Sequence, residues 1–475
     1  MIYGRHHEIS IFQRALNSSR AELGIVYGRR RVGKSALLSS LQKKGRDLYF
    51  EALQKVELSR QIQHFTDQLS EQTGTPRVLA RSWKEAFDAL TPHLRKGRRY
   101  IVFDEFPWMA SGRAELVSLL KYYWDNRWKE NSGLTLVLCG SVSSFMLKHL
   151  VHSHALHNRK TFEIKVEGLP ARDGALFFKG RRSVFEMSKF LMIFGGIPKY
   201  LEQIDPASSL SHNMDRLCFT KNSFFLTEFE TLFKEQFKVI KTYELIVEAL
   251  AQGSHSREAL AGKLGKPPGG GLGSYIQALE QADFVKQMSP LALDGERGKT
   301  RRIVLWDEWL RFYFTYVKPH RSAIELNTGS GLFDRLTGRS LDAYLGLCFE
   351  RFCLKNIPSL LEHMGVSISE VIDVGPFFRQ PGRGAIKSPG AQVDILIHRQ
   401  GHILTVVECK FQTNPLGMSV IRDVENKIKV IQPKRHVTIE KVLVSAGPLS
   451  RDLEKSGFFH TVLGLEALFA PSPSV

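Results

Sequence analysis

The sequence predicts an α/β fold that begins with a parallel sheet covered by helices on both faces. Three short apolar runs, at residues 24–28, 100–103 and 134–139, have the length and composition of buried strands. Helical patterns separate them, and strands that alternate with helices indicate a parallel sheet. A glycine-containing turn follows the first run and leads into a helix expected over residues 34–43. The front of the chain is therefore predicted to be an α/β domain.

The middle of the chain is predicted to be a small helical domain with a hairpin. Helical patterns at 237–251, 256–264 and 273–282 precede strands expected at 284–287 and 300–305. Three helices followed by a two-stranded hairpin are typical of a winged helix. A mostly helical stretch before it forms a lid on the first domain, and a second α/β segment follows it. We expect three domains, at residues 1–235, 236–325 and 335–475.

Length, composition and charge narrow the class of protein. The 475 residues suffice for about three domains. With 43% hydrophobic and 24% charged residues, the chain is neither disordered nor collagen-like. Its net charge of +18 favours a nucleic acid, here DNA, as the partner. The alternative is a solvated basic surface without a partner.

The cysteines and the start of the sequence point to a cytoplasmic protein. The five cysteines form no C-x-x-C pair, which predicts neither a zinc site nor a disulfide framework. No apolar segment resembles a signal peptide, and no run approaches the roughly 20 apolar residues of a membrane span. We therefore expect no membrane partner.

A phosphate-binding loop follows the first predicted strand. Residues 28–35 fit the pattern G-x-x-x-x-G-K-[ST] between a strand and a helix, which is the context that such a loop requires. Its backbone N–H groups would surround the β-phosphate of ATP, and the helix would add its positive end. Lys34 would reach the β- and γ-phosphates, while Ser35 would hold Mg²⁺. The predicted ATP-binding residues are Gly28, Arg29, Arg30, Arg31, Val32, Gly33, Lys34 and Ser35.

Polar residues at the ends of the next two predicted strands complete an ATP-hydrolysing site. Asp104 would hold Mg²⁺ through water, and Glu105 would polarise the attacking water. The alternative is that Asp104 only caps a helix and Glu105 is solvated. Ser141 ends the third strand and places a hydroxyl near the γ-phosphate, although serine is also a common turn residue there.

Two carboxylates and a lysine mark the C-terminal segment as a candidate metal site. A hairpin with a loop at residues 399–401 would pair His398 with His402 and place Asp394 opposite Val406. Because side chains alternate along a strand, Asp394, Glu408 and Lys410 would then share one face. Such a set suits Mg²⁺-assisted phosphodiester hydrolysis. The alternative is a solvated strand face with a Glu–Lys pair.

The first part of the chain resembles the archaeal-type ATPases of the AAA+/STAND group of P-loop NTPases. The residues that carry the resemblance are the loop at 28–35, the opening Gly4-Arg5, Gly140-Ser141 and the segment at 195–201. The resemblance implies that Arg5 and Pro198 flank the adenine. It also implies that Arg159 senses the γ-phosphate, although the family's Gly-Arg pair is here Asn158-Arg159. The alternative for Arg159 is a surface arginine.

The C-terminal segment resembles the DUF234-like domains of the restriction-endonuclease-like fold, the PD-(D/E)XK nucleases. Asp394, Glu408 and Lys410 match the family's core positions, whereas Val393 stands where the family has proline. Glu350, on the preceding helix, matches the glutamate that can join the metal site. Many such domains keep the fold without activity.

These observations predict an ATP-dependent, DNA-acting protein. ATP hydrolysis would control both a winged-helix domain and a Mg²⁺-dependent nuclease domain. In the winged helix, the helix from Gly273 would enter the major groove of DNA, and Arg301 and Arg302 would contact phosphate. The alternatives are an ATP-switched DNA-binding or signalling protein with a catalytically silent nuclease fold, and a winged helix that packs against protein. A homo-oligomer or a protein partner is compatible with each of these functions.

Overall fold

A computed structural model of the chain describes residues 2–237, 240–267, 270–291, 301–379, 390–431 and 436–470. It divides into two compact units. The first unit consists of residues 1–169 and 197–199, and the second of residues 170–196 and 200–475. The three domain boundaries expected from sequence stay a prediction. No helix among the described residues is long and apolar enough to cross a membrane.

A five-stranded parallel sheet forms the centre of the first unit. Its strands are β1 (Glu22–Gly28), β2 (Leu48–Glu51), β3 (Arg99–Asp104), β4 (Leu134–Ser141) and β5 (Phe162–Lys165). They lie in the order β2-β3-β4-β1-β5, and each neighbouring pair is parallel. The parallel sheet predicted from the three apolar runs is therefore confirmed, and β1, β3 and β4 are those runs. Their side chains are buried on both faces because helices cover the sheet.

The helices of the first unit include the one expected over 34–43 and a helix at Trp83–Leu94. The first ends slightly earlier than expected, at Leu41, where Gln42 turns into extended backbone. The second begins at Trp83, where the Ser82 side chain accepts a hydrogen bond from the backbone N–H of Glu85 and so caps the helix. The helices are His6–Leu16, Lys34–Leu41, Leu58–Thr73, Trp83–Leu94, Phe106–Met109, Glu115–Tyr123 and Ser144–Met146.

The middle of the second unit contains three helices and a two-stranded hairpin. Helices Ile240–Ala251, Arg257–Lys263 and Gly270–Gln281 precede β6 (Val285–Met288) and β7 (Arg302–Leu305), which pair antiparallel. This is the element order predicted for the middle of the chain. The helix Pro198–Leu201 has residues in both units. The other helices of the second unit are Ala171–Gly174, Val184–Phe194, Leu210–Cys218, Glu228–Gln236, Glu308–Phe312, Arg321–Leu326, Leu332–Thr337, Ser340–Lys355, Ile357–His363, Ser419–Ile431, Arg451–Lys455 and Glu466–Phe469.

A mixed five-stranded sheet forms the C-terminal part of the second unit. Its strands are β8 (Val371–Arg379), β9 (Ala391–Arg399), β10 (Ile403–Lys410), β11 (Thr438–Ser445) and β12 (Thr461–Leu463). The order is β12-β11-β10-β9-β8, antiparallel from β8 to β10 and parallel from β10 to β12. The apolar side of helix Ser419–Ile431 packs on it. The second α/β segment predicted from the sequence is confirmed.

The expected register of the β9–β10 hairpin is wrong by two residues. His398 pairs with Leu404 rather than with His402, and the loop is 400–402 rather than 399–401. Gly401 and His402 both have left-handed backbone, with φ of 75° and 59°. Because the shift is an even number of residues, Asp394, Glu408 and Lys410 still share one face.

Candidate functional site

The phosphate-binding loop joins β1 to the helix Lys34–Leu41. Gly33 precedes the helix with φ of 89°, a left-handed conformation that glycine adopts without strain. Gly28 lies so close to β5 that a Cβ atom there would be 2.2 Å from the backbone oxygen of Val166. Lys34 is buried, and its ammonium donates hydrogen bonds to the backbone oxygens of Gly28 (3.1 Å) and Arg29 (3.0 Å). The lysine thus points into the loop, while Ser35 at the helix start is exposed.

The ends of β3 and β4 bring two of the predicted catalytic residues, Glu105 and Ser141, close to the predicted phosphate-binding Lys34. Glu105 follows β3 in a left-handed conformation, with φ of 49°. Its carboxylate accepts a hydrogen bond from the hydroxyl of Ser141 (2.7 Å) and another from that residue's backbone N–H (3.2 Å). The Ser141 hydroxyl also lies 3.5 Å from the ammonium of Lys34. A lysine, a hydroxyl and a carboxylate therefore meet at one edge of the sheet.

Asp104 is fixed by a tyrosine that the sequence analysis missed. The hydroxyl of Tyr49, on β2, donates to Asp104 Oδ2 at 2.5 Å, and the backbone N–H of Glu105 donates to Oδ1 at 2.9 Å. Burial, and then the Asp104 charge, raise the pKa of Tyr49, so the tyrosine stays a donor. Because β2 pairs with β3, the polar hydroxyl of a tyrosine on β2 was the sequence signal for this contact with Asp104. Asp104 keeps its carboxylate oriented before any metal binds.

The two residues implied to flank adenine both lie against the phosphate-binding loop. Arg5 is buried, and its guanidinium donates to the backbone oxygen of Val32 at 2.8 Å while pairing with Glu8. Pro198 lies beside Gly33, since a Cβ atom at that glycine would be 3.8 Å from the proline ring. That these two residues flank an adenine stays a prediction.

Arg159 is held by an acidic residue. Its guanidinium donates to both carboxylate oxygens of Asp125, at 2.7 to 2.9 Å, and to the backbone oxygen of Ala155. The pair lowers the pKa of Asp125 and raises that of Arg159. Sensing a γ-phosphate would require this bidentate pair to open, and that role stays a prediction.

The second unit brings the two carboxylates of the candidate metal site together through a lysine. Asp394 and Glu408 are buried on neighbouring strands, at 8% and 1% exposure. The ammonium of Lys427, from helix Ser419–Ile431, lies 2.6 Å from Glu408 Oε2 and 3.4 Å from Asp394 Oδ1. Asp394 Oδ2 accepts a hydrogen bond from the backbone N–H of Cys409 at 2.8 Å. The predicted pair therefore exists, with a cation between its members.

Lys410 lies beside Glu408, as predicted. Its ammonium is 2.8 Å from Glu408 Oε1, in a direction that makes an ionic contact but no aligned hydrogen bond. Lys427 was missed, although the sequence holds a signal for it. Positions 420, 424, 427 and 431 form one helical stripe whose other members, Val420, Val424 and Ile431, are buried. A lysine within such a stripe needs a buried acidic partner.

Glu350 approaches the pair from helix Ser340–Lys355. Its carboxylate accepts a hydrogen bond from the side chain of Gln392 at 3.3 Å. Burial, followed by the charge of Asp394, raises the pKa of Glu350 to about 7. Burial and the charge of Glu408 also raise the pKa of Asp394. Carboxyl groups that resist ionisation are typical of sites that bind cations or transfer protons.

The carboxylates fit a divalent cation in the chemistry of their donor atoms. Magnesium prefers oxygen ligands, and the buried Oε1 of Glu408 has no hydrogen-bond partner. Asp394 and Glu408 would hold such an ion, which would polarise a phosphate and activate water. Within the described ranges, however, no three His, Cys, Asp or Glu side chains are grouped to hold a metal ion. Glu350 as a third ligand stays a prediction.

Glu350 gives the second unit a pH-dependent stability. Because its folded-state pKa lies above the ordinary value of 4.5, the stability that its proton confers is complete below pH 4.5 and is lost as pH rises through 7. In EDTA at pH 8, Glu350→Gln should therefore stabilise the protein by about 2 kcal/mol, and at pH 4 by almost nothing. Urea unfolding followed by fluorescence at both pH values measures this difference. Equal stabilisation at both values would contradict the raised pKa.

Comparison with known proteins finds similarity to two protein families along the chain. Residues 2–204 match a family described as an ATPase domain predominantly from Archaea. Residues 313–426 match DUF234, described as archaeal and bacterial proteins of unknown function. An uncharacterized protein of Methanocaldococcus jannaschii, MJECL04, is 27% identical over 355 residues, which are 74% of this chain and 76% of that protein.

Two solved structures give weaker matches. The Walker-type ATPase PABY2304 of Pyrococcus abyssi is 19% identical and covers 66% of this chain and 96% of its own, with a TM-score of 0.49. The ORC2 protein of Aeropyrum pernix is 14% identical and covers 68% and 94%, with a TM-score of 0.42. The family matches show that residues 2–204 are similar to the predominantly archaeal ATPase domain and residues 313–426 to DUF234, and the phosphate-binding loop and the strand ends lie within the first match.

Proposed function

We propose that this protein hydrolyses ATP in its first unit and uses the hydrolysis to control DNA-acting parts of its second unit. The observation that carries the proposal is the convergence of Lys34, at the end of the loop that follows β1, with Glu105 and Ser141 at the ends of the adjacent strands β3 and β4. This edge of a parallel sheet is where nucleotides bind in α/β folds. The matching family supports the ATPase part of the proposal.

Binding of ATP would exchange contacts in the first unit for contacts with the nucleotide. Lys34 would turn from the loop carbonyls to the β- and γ-phosphates of ATP. Ser141 would turn its hydroxyl to the γ-phosphate and release Glu105, which could then orient the attacking water. Mg²⁺, held by Ser35 and Asp104, would neutralise charge on the same phosphates. ATP binding and activation of the base would thereby be linked through one serine.

DNA is the partner that the charge of the protein favours. The helix that was expected to enter a groove, Gly270–Gln281, carries no Lys or Arg. The guanidinium of Arg257 covers Gly273, because a Cβ atom there would be 1.7 Å from an Arg257 nitrogen. Phosphate contacts would instead come from exposed basic residues such as Arg301. Sequence-tolerant binding through phosphates follows from such a surface.

Binding to duplex DNA should therefore weaken steeply with salt. A protein that contacts several phosphates releases their counterions, so raising the salt from 50 to 200 mM should reduce affinity by about 10³-fold for six contacts. Fluorescence anisotropy with a labelled 20-base-pair duplex measures this slope. A dissociation constant that is the same at both salt concentrations would contradict phosphate-based DNA binding.

In the second unit we propose a Mg²⁺-dependent nuclease. Asp394 and Glu408 would hold the ion, and Lys410 would stabilise the negative charge that develops on the attacked phosphate. Nicking of supercoiled plasmid with Mg²⁺ or Mn²⁺, with and without ATP, tests this activity. A second candidate is a silent nuclease fold that serves as a docking or regulatory domain. The position of Lys427 favours it, since this ammonium already neutralises both carboxylates.

The substitution Lys427→Met separates these candidates. If the lysine occupies the place of the cation, removing it should tighten Mn²⁺ binding by the nucleotide-free protein about tenfold, because two buried carboxylates lose their partner. Electron paramagnetic resonance of free Mn²⁺ measures the affinity. Lys429→Met, an exposed lysine on the same helix, is the matched control. Unchanged or weaker Mn²⁺ binding would show that Lys427 does not compete with the ion.

A further inference from the structure

A cleft of about 360 Å³ lies in the second unit beside the two-stranded hairpin. The hairpin and the end of helix Ile240–Ala251 line one side of it. Helix Ser340–Lys355 and strands β8 and β9 line the other, and Asp394 belongs to the lining. The candidate carboxylate site therefore opens into a confined space that the hairpin helps to form.

The wall of the cleft contains a flat aromatic and guanidinium pair. The guanidinium carbon of Arg302, on β7, lies 4.6 Å from the ring centre of Phe378 on β8. Its Nη1 donates to the hydroxyl of Ser254 at 3.3 Å, which fixes the plane of the group. Both side chains are half-buried. Arg302 was expected from the sequence to contact phosphate from the wing, whereas its guanidinium lies over Phe378 of the C-terminal sheet.

Two more arginines border the same cleft. Arg311 and Arg351 both donate to the backbone oxygen of Leu305, at 3.0 and 3.2 Å, and so are held at the cleft edge. Glu350 and Asp394 supply the acidic part of the lining. The cleft therefore combines a stacking surface, arginines and the candidate cation-binding carboxylates, which are groups that suit a base with its adjoining phosphate.

We propose that this cleft binds one unpaired nucleotide of a DNA strand and presents its phosphate to the Asp394–Glu408 site. The substrate class would then be single-stranded DNA or a strand end, not an uninterrupted duplex. This inference rests on the proposed DNA-acting function and adds the form of DNA that the second unit accepts. Arg302 and Phe378 are the residues that would stack with the base.

The size of the cleft excludes a base-paired segment. Ligand pockets for single small molecules span about 300–1,000 Å³, and this cleft is at the lower end of that range. A duplex presents its bases only within grooves, whereas an unpaired base can leave the stack and enter a narrow pocket. The hairpin wall would therefore act as a filter, because a cleft of this volume admits one unpaired base and not a base pair.

The test compares two adjacent arginines. Arg302 lines the cleft, whereas Arg301 is exposed, so both substitutions remove one positive charge from neighbouring positions. Full-length protein carrying Asp394→Asn, which prevents cleavage, is titrated with a labelled 12-nucleotide single strand and with a blunt hairpin duplex. Arg302→Ala should weaken single-strand binding about tenfold or more and leave duplex binding unchanged. Arg301→Ala should weaken both by a similar small factor.

Two further variants distinguish a local loss of binding from a loss caused by misfolding. Arg302→Lys keeps the charge but loses the planar group, so single-strand binding should fall less than with alanine. Phe378→Leu keeps an apolar side chain and should also reduce single-strand binding. Melting temperatures of all variants are compared with the parent.

The outcomes separate this inference from the wider proposal. Equal effects of Arg301→Ala and Arg302→Ala on the single strand would overturn the cleft assignment, as would duplex binding that depends on Arg302. In either case DNA binding itself would stand. Absence of binding to both DNA forms would overturn the cleft assignment together with the DNA-acting function. Single-strand binding that depends on Arg302, in a wild-type protein that does not cleave, would support the cleft and leave the nuclease fold silent.

Discussion

Glu105→Gln is expected to leave ATP binding intact and to slow ATP turnover by about 10²–10⁴-fold. The amide keeps the size of the side chain and its contact with Ser141, but it cannot accept a proton from the attacking water. Lys34→Ala should instead abolish binding, because the buried ammonium that reaches the phosphates is lost. Fluorescent-ATP binding and phosphate release measure the two effects separately.

The matched control for this experiment is Glu51→Gln. Glu51 lies beside Asp104 in the β2–β3 register, so it ends the neighbouring strand at the same edge of the sheet. Its side chain is exposed, and turnover should stay at the parental rate. A Lys34→Ala protein that hydrolyses ATP as fast as the parent would place the ATPase site elsewhere.

Asp394→Asn is expected to abolish metal-dependent DNA cleavage. Removal of one carboxylate charge leaves a single anionic ligand, Glu408, beside two lysines, and a divalent cation is then repelled. Nicking of supercoiled plasmid with Mn²⁺ should fall to the level of the buffer alone. Fluorescence-detected melting in the same buffer checks that the variant is folded.

The control for cleavage is Glu425→Gln, on the exposed face of the helix that carries Lys427. This substitution also removes one carboxylate charge, but away from the Asp394–Glu408 pair. The variant should therefore cleave DNA at the parental rate. If Asp394→Asn and the parent cleave equally, the activity has another origin. If neither cleaves, while Mn²⁺ binding tightens in Lys427→Met, the silent nuclease fold is the better account.

The geometry of the candidate ATPase site could be predicted because its parts are local in sequence. A phosphate-binding loop is one continuous segment, and in a parallel sheet the carboxyl ends of successive strands meet at one edge. Lys34, Glu105 and Ser141 needed only the identification of β1, β3 and β4 to be placed together. The alternation of side chains likewise placed Asp394, Glu408 and Lys410 on one face.

Ion pairs between residues far apart in the sequence determine the features that sequence patterns did not predict. Arg399 stays in β9 because its guanidinium pairs with Glu370 and Glu440, which lie 29 and 41 residues away, so the hairpin loop begins one residue later than expected. Lys427 reaches Asp394 and Glu408 from a separate helix.

The sequence by itself therefore determined the fold class, the phosphate-binding loop and the shared face of the carboxylates, since strand ends and side-chain alternation follow from local spacing. Only the tertiary structure decided the hairpin register, the partner of Arg159 and the cation between the carboxylates. The free energy of a charged pair depends on which distant groups are desolvated beside it, and local sequence does not specify those groups.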